Sequence, residues 1–411
     1  MSRLKIFGNS FHDPSAGLYY RVRAPLRAME LEGIADVHLD DPWSDNSDRQ
    51  NYLYFGDVSL HFLVGGKEMH KQFQVIRDLK PAPDATGFIK YPPVIVFDMD
   101  DDIEVISPLN PKFATLGTRD GDGNLLEPRS DFGIQVGENE APVYLWKHDQ
   151  MGLTGRFNAG ENIIRHSLVR KVAQTAHAIT CTGPELEETA KRWNPRTFVY
   201  PNSILFDDIV RFKIERPKDE VRVFWQGGYS HYPDFYPLKG AFSAAYKRMP
   251  HVKWVILGQL YKWVFEHIPA VRIEFYPWVR PGDNLQAYWL KYASMGPDIN
   301  IAPLVDTRFN RCKSAIKFYE AAAYQVPTLA ANCGPYREII DGDTGFLYSS
   351  PEEFVDKLER LVKDADLRVK IGKRAEEWVR EHRDARKNCH ALYAFYEKLH
   401  KEVGDSKLRA A

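Results

Sequence analysis

Short apolar segments alternate with amphipathic stretches along almost the whole chain. The apolar segments carry no polar face, whereas the stretches between them place apolar residues at helical spacing. Continuous apolar runs are typical of strands in a parallel sheet, because helices cover both faces of such a sheet. The pattern therefore predicts an α/β fold built from parallel sheets.

The first half of the sequence contains one series of these strands and helices. A strand over 4–7 leads through a Gly/Ser/Pro loop to a helix over 22–32, which ends at Gly33. Residues 109–141 are rich in Gly, Asp, Asn and Pro and have no clear period, so we interpret them as a long loop or flap. Further strands are predicted at 35–39, 92–97, 143–146, 178–181 and 198–200.

A second series follows a polar stretch at 206–220, which we predict to be the linker between two domains. Ser350, Pro351 and Glu353 have the residue types and spacing of a helix N-terminus with a capping box. Strands are predicted at 221–225, 252–257, 271–275, 299–302 and 328–331, and helices near 240–248, 285–292 and 314–324. The pattern predicts two facing, doubly wound domains, 1–205 and 206–411, with a ligand at the carboxyl ends of their strands.

Length, cysteine content and apolar runs restrict the class of protein. The 411 residues suit two to three domains at roughly 150 residues each. Hydrophobic residues make up 44% and charged residues 27%, which excludes a disordered or collagen-like chain. The four cysteines contain no CxxC pair, which excludes a disulfide scaffold and a zinc site of that kind. No secretory signal and no apolar run of about 18 residues is present, so we expect a cytoplasmic protein, with peripheral membrane attachment left open.

The charge balance is near zero for the whole chain but uneven along it. Fifty-five Lys and Arg stand against 56 Asp and Glu, a formal net charge of -1. Residues 1–202 hold 22 basic and 28 acidic residues, whereas residues 203–411 hold 33 and 28. A neutral chain with an acidic first half disfavours nucleic acid as a partner, and a basic second half favours a small anionic ligand.

The densest group of chemically informative residues lies between 310 and 347. Lys313, Lys317 and Glu320 follow one another at spacings of four and three, which places them on one face of the helix predicted over 314–324. Two ammonium groups beside a helix N-terminus suit a diphosphate, and a carboxylate one turn further on can accept two hydrogen bonds from a ribose diol. The alternative is a solvated helix face with Lys–Glu pairs.

The order of motifs in this region resembles that of a known family. The motifs are K-x-x-x-K-x-x-E-A, then V-P-T-L-A, then G-x-x-x-E-I-I-x-G-x-T-G-F-L. They are similar to the donor-site segment of retaining glycosyltransferases of family 4, which have the GT-B fold of two facing Rossmann-like domains. The resemblance covers most of residues 221–400. It implies a C-terminal domain that binds a nucleotide-diphosphate sugar, transfer of the sugar to a hydroxyl acceptor with retention, no required cofactor, and a C-terminal helix that crosses back to the N-terminal domain.

The resemblance assigns donor-binding roles to individual residues of the central segment. Glu320 would bind the ribose, and Lys313 and Lys317 would lie near the phosphates. Gly334 and Tyr336 belong to a turn that would present backbone amides to the sugar and the phosphate. These roles are what the similarity implies and do not follow from the spacing alone.

A glycine loop follows the first strand of the second half. Gly227 and Gly228 come directly after that strand, where a tight turn lets backbone N–H groups approach an anion. Ser230, His231 and Asp234 follow within reach of the same loop. Lys239 resembles a lysine that the family has after this loop, although the spacing here is longer. We therefore count both glycines and Lys239 among the predicted donor-binding residues.

A similar loop follows the first strand of the chain. Gly17 lies in the stretch S-A-G-L-Y-Y-R, which looks like the N-terminal glycine loop of the family and is a further donor-binding candidate. Arg21 and Arg23 close this stretch. They could pair with phosphate or with the acidic residues of the same half, and the sequence leaves both possibilities open.

Residues 98–102 form an acidic cluster with DxD spacings. Such spacings hold a divalent metal on the donor diphosphate in GT-A transferases, whereas the alternatives are an acidic strand end, a helix cap or a group that orients the acceptor. Because the donor segment is GT-B-like, we interpret Asp100 and Asp101 as catalytic residues that orient the acceptor without a metal. His148 closes another predicted strand and is the third catalytic candidate, and the flap at 109–141 is placed on the same acceptor side.

The sequence thus predicts a glycosyltransferase whose acceptor hydroxyl belongs to a glycan, a lipid-linked glycan, a protein or a modified base. Three alternatives stay open: a phage-type DNA-base glycosyltransferase, a sugar-nucleotide 2-epimerase, and a non-catalytic module that binds a nucleotide sugar. The family has a further glutamate at the position of Cys312, so the usual carboxylate contact to the donor sugar is missing or supplied elsewhere. Glu338 matches a family glutamate that serves either as a structural cap or as a ligand.

Overall fold

The chain contains two compact units, each built from segments that are distant in sequence. The computed structural model describes residues 3–9, 16–39, 56–62, 67–78, 80, 82–83, 89–108, 110, 112–119, 124–125, 158–212, 214–215, 217, 220–261, 264–277 and 285–410. The first unit comprises Met1–Asp102, Ile163–Leu205 and Arg383–Ala411, and the second comprises Ile103–Asn162 and Phe206–His382. One change from the first unit to the second falls between residues 205 and 206, where the predicted linker begins.

Strands and helices alternate through both units. The strands are β1 (Leu4–Asn9), β2 (Ala35–Leu39), β3 (Val58–Phe62), β4 (Ala82–Pro83), β5 (Ile89–Lys90), β6 (Val94–Met99), β7 (Ala178–Cys181), β8 (Thr197–Val199), β9 (Arg222–Gly227), β10 (Lys253–Gly258), β11 (Ile273–Tyr276), β12 (Ile299–Ala302), β13 (Thr328–Ala331) and β14 (Phe346–Tyr348). The α-helices are α1 (Ala16–Leu18), α2 (Ala24–Leu31), α3 (Lys67–Asp78), α4 (Phe113–Leu116), α5 (Ala159–Thr175), α6 (Pro184–Trp193), α7 (Tyr232–Phe235), α8 (Ala241–Arg248), α9 (Leu285–Met295), α10 (Arg308–Arg311), α11 (Ile316–Ala322), α12 (Pro351–Lys363), α13 (Ala365–His382) and α14 (Ala385–Ala410). Across the described part of the chain, none of these helices has the length and apolar character needed to cross a membrane.

Six parallel strands form the sheet of the first unit, in the order β2-β1-β3-β6-β7-β8. β1 is the turning point of this order, and its Ile6 pairs with Val37 of β2 and with Val58 of β3. Every residue of β6 is buried, as the continuous apolar run predicts. Because the order reverses at β1 and β3, the carboxyl ends of these strands are where α/β sheets bind ligands. β4 and β5 form a separate antiparallel pair.

The second unit contains another sheet of six parallel strands, in the order β11-β10-β9-β12-β13-β14. This is the strand order 3-2-1-4-5-6 of dinucleotide-binding folds. All residues of β9, β12 and β13 are buried, so these strands form the centre of the core. The order reverses between β9 and β12, which places a ligand-binding crevice at their carboxyl ends. Both sheets confirm the predicted α/β class with doubly wound topology.

The C-terminal helix α14 is part of the first unit. Its buried residues include Leu392 and Tyr396, and the helix packs against α2. Arg386 forms an ion pair with Glu32 just after α2, at 2.6 Å. The structural units therefore differ from the continuous division 1–205 and 206–411, because the apolar face of α2 is covered by a helix from the other end of the chain.

Part of the predicted flap also belongs to a different unit from the one expected. Residues 103–162 belong to the second unit, although they lie within the first half of the sequence. A small apolar cluster joins Ile106, Phe113, Ala114 and Ala159 to Phe309 of α10. The described part of this segment therefore belongs to the second unit. The sequence had instead assigned the flap to the N-terminal, acceptor-side domain. The predicted strand at 143–146 lies outside the described residues.

Candidate functional site

Polar side chains converge at the carboxyl ends of β9 and β12. Gln226 lies near the end of β9, and the short helix α11 carries Lys317 and Glu320 one turn apart. Asn300 of β12 donates from Nδ2 to the backbone oxygen of Lys317 at 3.2 Å, which ties α11 to the sheet. All four residues are buried. Because buried polar groups are unusual unless they pair or bind a ligand, this position is the candidate site.

Glu320 is held by two side chains that come from other elements. Its carboxylate, 4% exposed, accepts hydrogen bonds from the Tyr288 hydroxyl at 3.0 Å and from the side-chain amide of Gln226. Tyr288 also contacts Gln226 Oε1. Burial, together with the nearby Glu320 carboxylate, raises the pKa of Tyr288 well above its usual value, so the phenol stays a donor. The carboxylate of Glu320 is therefore oriented before any ligand binds.

Lys317 is a buried ammonium group without a carboxylate in contact among the residues that the structure describes. The residue is 9% exposed, and its Nζ lies 3.1 Å from Nε2 of His231. Among the described residues, no carboxylate oxygen lies within 4.0 Å of this nitrogen. Burial lowers the pKa of Lys317 to about 8, despite the opposing effect of Glu320. A charge buried in this way is costly until an anion joins it.

His231 connects Lys317 to a second carboxylate. Its Nδ1 lies 2.7 Å from Oδ2 of Asp234, which is itself buried. Burial and the Lys317 ammonium lower the pKa of His231 to about 4, so the imidazole is neutral at neutral pH. Asp234 Oδ1 accepts from Nδ2 of Asn310 at 2.9 Å and from the backbone N–H of Val305 at 3.1 Å. The structure therefore brings Lys317 together with His231 and Asp234, which lie in a separate segment of the sequence.

The two glycines at the end of β9 differ in their surroundings. A Cβ at Gly227 would lie 2.7 Å from Trp225 Cζ2 and 2.9 Å from His231 Cδ2, so no side chain fits there. A Cβ at Gly228 would meet nothing within 4 Å. Tyr261 donates to the backbone oxygen of Gly228 at 2.8 Å, which fixes the loop. Gly227 thus permits close packing of the loop, and Gly228 leaves its backbone open to an approaching group.

The second glycine turn lies after β13. Gly334 has φ +51°, in the left-handed region that favours glycine, and a Cβ there would lie 3.3 Å from the backbone oxygen of Asn310. Tyr336 is buried within this turn, so its ring is part of the core. The hydroxyl of Tyr319 donates to Glu338 at 2.5 Å. Glu338 therefore links the turn to α11, which agrees with the structural alternative for this residue.

The other two predicted lysines differ from Lys317 in exposure and position. α11 begins at Ile316, because Ala315 has ψ 35° and leaves the helical region, so Lys313 precedes the helix. The predicted single face for all three residues is wrong in this respect. The Lys313 ammonium lies 4.4 Å from the centroid of the Phe309 ring. Lys239 is exposed in the turn before α8.

The two cysteines near the site, Cys312 and Cys333, have buried side chains. Cys312, at the position of the family glutamate, is 1% exposed and follows the last residue of α10. Cys333 directly precedes Gly334, and its Sγ donates to the backbone oxygen of Leu304 at 3.4 Å. Burial raises the pKa of Cys333 to about 11, so this thiol stays protonated near neutral pH. The position of the family glutamate therefore supplies a thiol and no carboxylate to the site.

Gly17 and Asp100 meet in the first unit. A Cβ at Gly17 would lie 2.8 Å from Oδ2 of Asp100 and 2.7 Å from Cζ of Phe62, so only glycine permits this approach. Asp100 follows the carboxyl end of β6 and is partly buried, as is Asp101. The structure thus brings together two residues that the sequence assigned to different roles. His148 lies outside the described residues.

The acidic cluster at 98–102 is partly used for structure. Arg21 donates from Nε and Nη2 to the two oxygens of Asp98, at 2.8 Å and 2.9 Å, with both side chains buried. Of the two alternatives left open for Arg21, the structure shows the pair with an acidic residue. Asp102 is also buried and accepts from the Thr189 hydroxyl at 2.6 Å. Within the described ranges, no group of three or more His, Cys, Asp or Glu is arranged to hold a metal ion.

Two residues that orient Glu320, Gln226 and Tyr288, were not singled out from the sequence. Gln226 is a polar residue at the end of an otherwise apolar run, immediately before Gly227. This was the only local signal of its role. Tyr288 lies within an aromatic-rich helix with no distinguishing pattern, and its position opposite Glu320 depends on the packing of α9.

A family comparison identifies the domain that carries this site. Residues 239–394 match the model of a family described as "Glycosyl transferase-like". The matched region begins at Lys239 and includes α10, α11 and the turn at Gly334. The described site therefore lies largely inside a glycosyl transferase-like domain, with the β9 loop directly before it.

Solved structures with a similar fold cover almost the whole chain. A sucrose-phosphate synthase from Thermosynechococcus elongatus is 14% identical, with a TM-score of 0.58 over 97% of this chain and 99% of that chain. HepE from Anabaena, in complex with UDP, is 12% identical, with a TM-score of 0.53 over 96% and 100%. A glycosyltransferase from Rickettsia africae is 11% identical, with a TM-score of 0.52 over 97% and 99%.

The two Rossmann-like sheets define the fold of this protein, and the family match assigns residues 239–394 to a glycosyl transferase-like domain. Each unit has a parallel six-stranded sheet, and the similar solved structures share this architecture over nearly their full length. The second unit carries the glycosyl transferase-like domain. Residues 239–394 therefore match a glycosyl transferase-like domain, and the chain as a whole has the GT-B fold.

Proposed function

We propose that the protein is a glycosyltransferase, which transfers a sugar from a nucleoside-diphosphate sugar to a hydroxyl acceptor with retention of configuration. The observation that carries the proposal is Lys317, a buried ammonium in contact with a neutral imidazole and, among the described residues, with no carboxylate. Such a group needs an anion, and Glu320 lies one helical turn away with its carboxylate already oriented. A cation and a carboxylate at this separation suit the diphosphate and the ribose hydroxyls of one ligand.

The proposed donor site uses charge and backbone groups instead of a metal. Lys317 and Lys313 would bind the diphosphate, Glu320 would bind the ribose, and the loops at Gly228 and Gly334 would bring backbone N–H groups close. Positive charge at the diphosphate stabilises the leaving group as the anomeric bond breaks. Because the structure of HepE contains UDP, UDP is the first nucleotide to test.

On the acceptor side, we propose that Asp100 and Asp101 orient the attacking hydroxyl. Asp100 lies at the carboxyl end of β6 and against Gly17, where α/β sheets present functional groups. His148 stays a proposed third member. With retention and no dedicated nucleophile, the leaving phosphate would accept the proton of the acceptor hydroxyl.

The donor site is tested by comparing UDP with UMP as ligands in calorimetric titrations. We expect UDP to bind more tightly than UMP, because the second phosphate meets Lys317. Lys317→Met should weaken UDP binding by roughly tenfold to a hundredfold, the range of a hydrogen-bonded charge, and remove most of the preference over UMP. Lys370→Met, which alters an exposed lysine of α13, is the matched control. Equal UDP affinity in Lys317→Met and the unaltered protein would show that the donor site lies elsewhere.

Cys312 supports a second candidate, a module that binds a nucleotide sugar without transferring it. The buried thiol at the family's glutamate position leaves the sugar without its usual carboxylate contact. Release of UDP from UDP-sugars, with and without acceptors, separates the candidates. A binding module releases no UDP, a 2-epimerase converts the sugar without an acceptor, and a DNA-base glycosyltransferase needs modified DNA.

We also propose a cytoplasmic location for the protein. None of the four cysteines forms a disulfide in the structure, and all four are buried. Reduced cysteines are typical of cytosolic proteins.

A further inference from the structure

Building on the proposed donor site, we propose that Asp234 and His231 are positioning residues, which select the imidazole tautomer that holds the Lys317 ammonium for the diphosphate. The three side chains form a continuous chain of hydrogen bonds. His231 contacts Asp234 through Nδ1 at 2.7 Å and Lys317 through Nε2 at 3.1 Å. The two contacts use opposite sides of one ring, so the proton on one nitrogen decides what the other can do.

Asp234 has a fixed orientation within this chain. Its Oδ1 accepts from the N–H of Val305 and from Nδ2 of Asn310, and Oδ2 is left to face His231. A carboxylate only accepts hydrogen bonds, so Nδ1 of the neutral imidazole must carry the proton. The Nε2 atom then presents a lone pair to Lys317. The Asp234 carboxylate, oriented by Val305 and Asn310, therefore determines the tautomer of His231.

The ring of His231 is also fixed by packing. The ring is nearly perpendicular to that of Trp225, with centroids 6.4 Å apart and an interplanar angle of 87°. Gly227 leaves just enough room for the ring, since a Cβ there would lie 2.9 Å from its Cδ2. The plane of the imidazole ring therefore cannot turn unless the loop moves.

An imidazole suits this position better than a carboxylate would. A neutral ring accepts one N–H of the ammonium and leaves its charge and two further N–H groups for an anion. A carboxylate at the same place would neutralise Lys317 and compete with the diphosphate. The other charged groups that act on Lys317 are Glu320 on the same helix, Lys313 before it and Asp234 beyond the ring.

The hydrogen-bonded chain Asp234–His231–Lys317 is the proposed relay. The substitution Asp234→Asn tests it with little change in the size of the side chain. The amide oxygen can keep the contacts to Val305 and Asn310, which turns the amide nitrogen towards His231. The amide would donate to Nδ1, the proton would move to Nε2, and two donors would face each other at Lys317. We expect UDP affinity to fall by roughly tenfold to a hundredfold. The His231 tautomer, read from the two imidazole nitrogen shifts in NMR without ligand, should invert.

A double variant distinguishes positioning from a structural effect. In His231→Gln, the amide oxygen of glutamine can accept from Lys317 whatever Asp234 donates. Asp234→Asn should therefore cause no further loss of UDP affinity in the His231→Gln background. A structural role for Asp234 would give the same loss in both backgrounds, and that result would overturn the relay.

The two proposals fail in different ways. If no nucleoside diphosphate binds the unaltered protein, the proposed donor site is wrong, while the tautomer measurement still tests the relay. If UDP binds but Asp234→Asn leaves the tautomer and the affinity unchanged, the relay is wrong and the donor site stands.

Discussion

The protonation of Lys317 couples donor binding to pH. Burial lowers its pKa to about 8, and an anionic ligand raises the pKa again because it favours the ammonium. Below pH 8 the lysine is already charged, so UDP affinity should be constant once the terminal phosphate, with a pKa of about 6, is ionised. Above pH 8 the free protein loses the proton, and affinity should fall by up to tenfold per pH unit.

Calorimetric titrations of UDP between about pH 7 and 9.5 measure this effect, with proton uptake read from buffers of different ionisation enthalpy. Lys317→Met should bind weakly at every pH and take up no proton. An affinity that stays constant to pH 9.5 in the unaltered protein would contradict the role of Lys317.

Several site residues were predictable from the sequence because their signals are local. Lys317 and Glu320 share a helix, and Gly227 and Gly228 follow a strand, so short spacings identified them. Tyr288 was not predictable, because it reaches Glu320 from a helix about 30 residues away in sequence. The alternatives for Arg21 were resolved only by its contact with a strand end that lies 77 positions along the chain.

Elements near the N-terminus are joined by the buried pair of Arg21 and Asp98. Arg21 lies in the π-helical turn Tyr19–Arg23 between α1 and α2, and Asp98 lies in β6. The guanidinium also donates to Asn202 at 2.9 Å. Arg21 therefore fixes the π-helical turn against β6 and against the segment that follows β8.

Asp98→Asn should strongly destabilise the first unit. The substitution leaves the Arg21 guanidinium buried without its counter-charge, which typically costs about 3–5 kcal/mol. Hydrogen exchange of β6 peptides at increasing urea concentration measures the change in the free energy of unfolding. Asp36→Asn is the control, since its pair with Arg3 is 4.0 Å long and half exposed, and should change stability by less than about 0.5 kcal/mol. Equal effects of the two substitutions would contradict this role.

Element boundaries were less predictable than the elements themselves. The predicted helix over 22–32 begins instead with a π-helical turn and continues as α2 to Leu31, before Gly33 at φ +65°. The predicted capping box opens α12, where the Ser350 hydroxyl accepts from the N–H of Glu353 at 3.1 Å. Glycine and serine signals mark helix ends well, whereas helix starts without such residues depend on tertiary packing.

At the scale of the whole molecule, the opposed charges of the two sequence halves do not carry over to the structural units. The first unit contains 24 basic and 23 acidic residues, and the second contains 31 and 33. The segment 103–162 brings acidic residues to the second unit, and the basic segment 383–411 joins the first. An anionic donor is therefore favoured by one buried lysine and not by the net charge of a unit.

The C-terminal helix should be required for the first unit to fold. Removing residues 383–411 uncovers the apolar face of α2, since Leu392 and Tyr396 are buried in α14. We expect β1 and α2 to lose protection from hydrogen exchange, measured by mass spectrometry, while β12 and β13 keep theirs. Removing only residues 405–411, which begin with the exposed Asp405, is the control. Unchanged protection of β1 in the longer truncation would contradict this expectation.

The sequence by itself determined what depends on neighbouring residues. Apolar runs, glycine turns and the spacing of Lys317 and Glu320 sufficed for the α/β class, most of the sheet strands and the donor-side candidates, because periodicity and backbone freedom are local properties. The sheet strands β3 and β14 were not predicted. Tertiary structure decided the rest. It assigned residues 103–162 and α14 to their units, placed Tyr288 at Glu320, and left Lys317 beside His231, because burial and electrostatic pairing depend on which distant segments pack together.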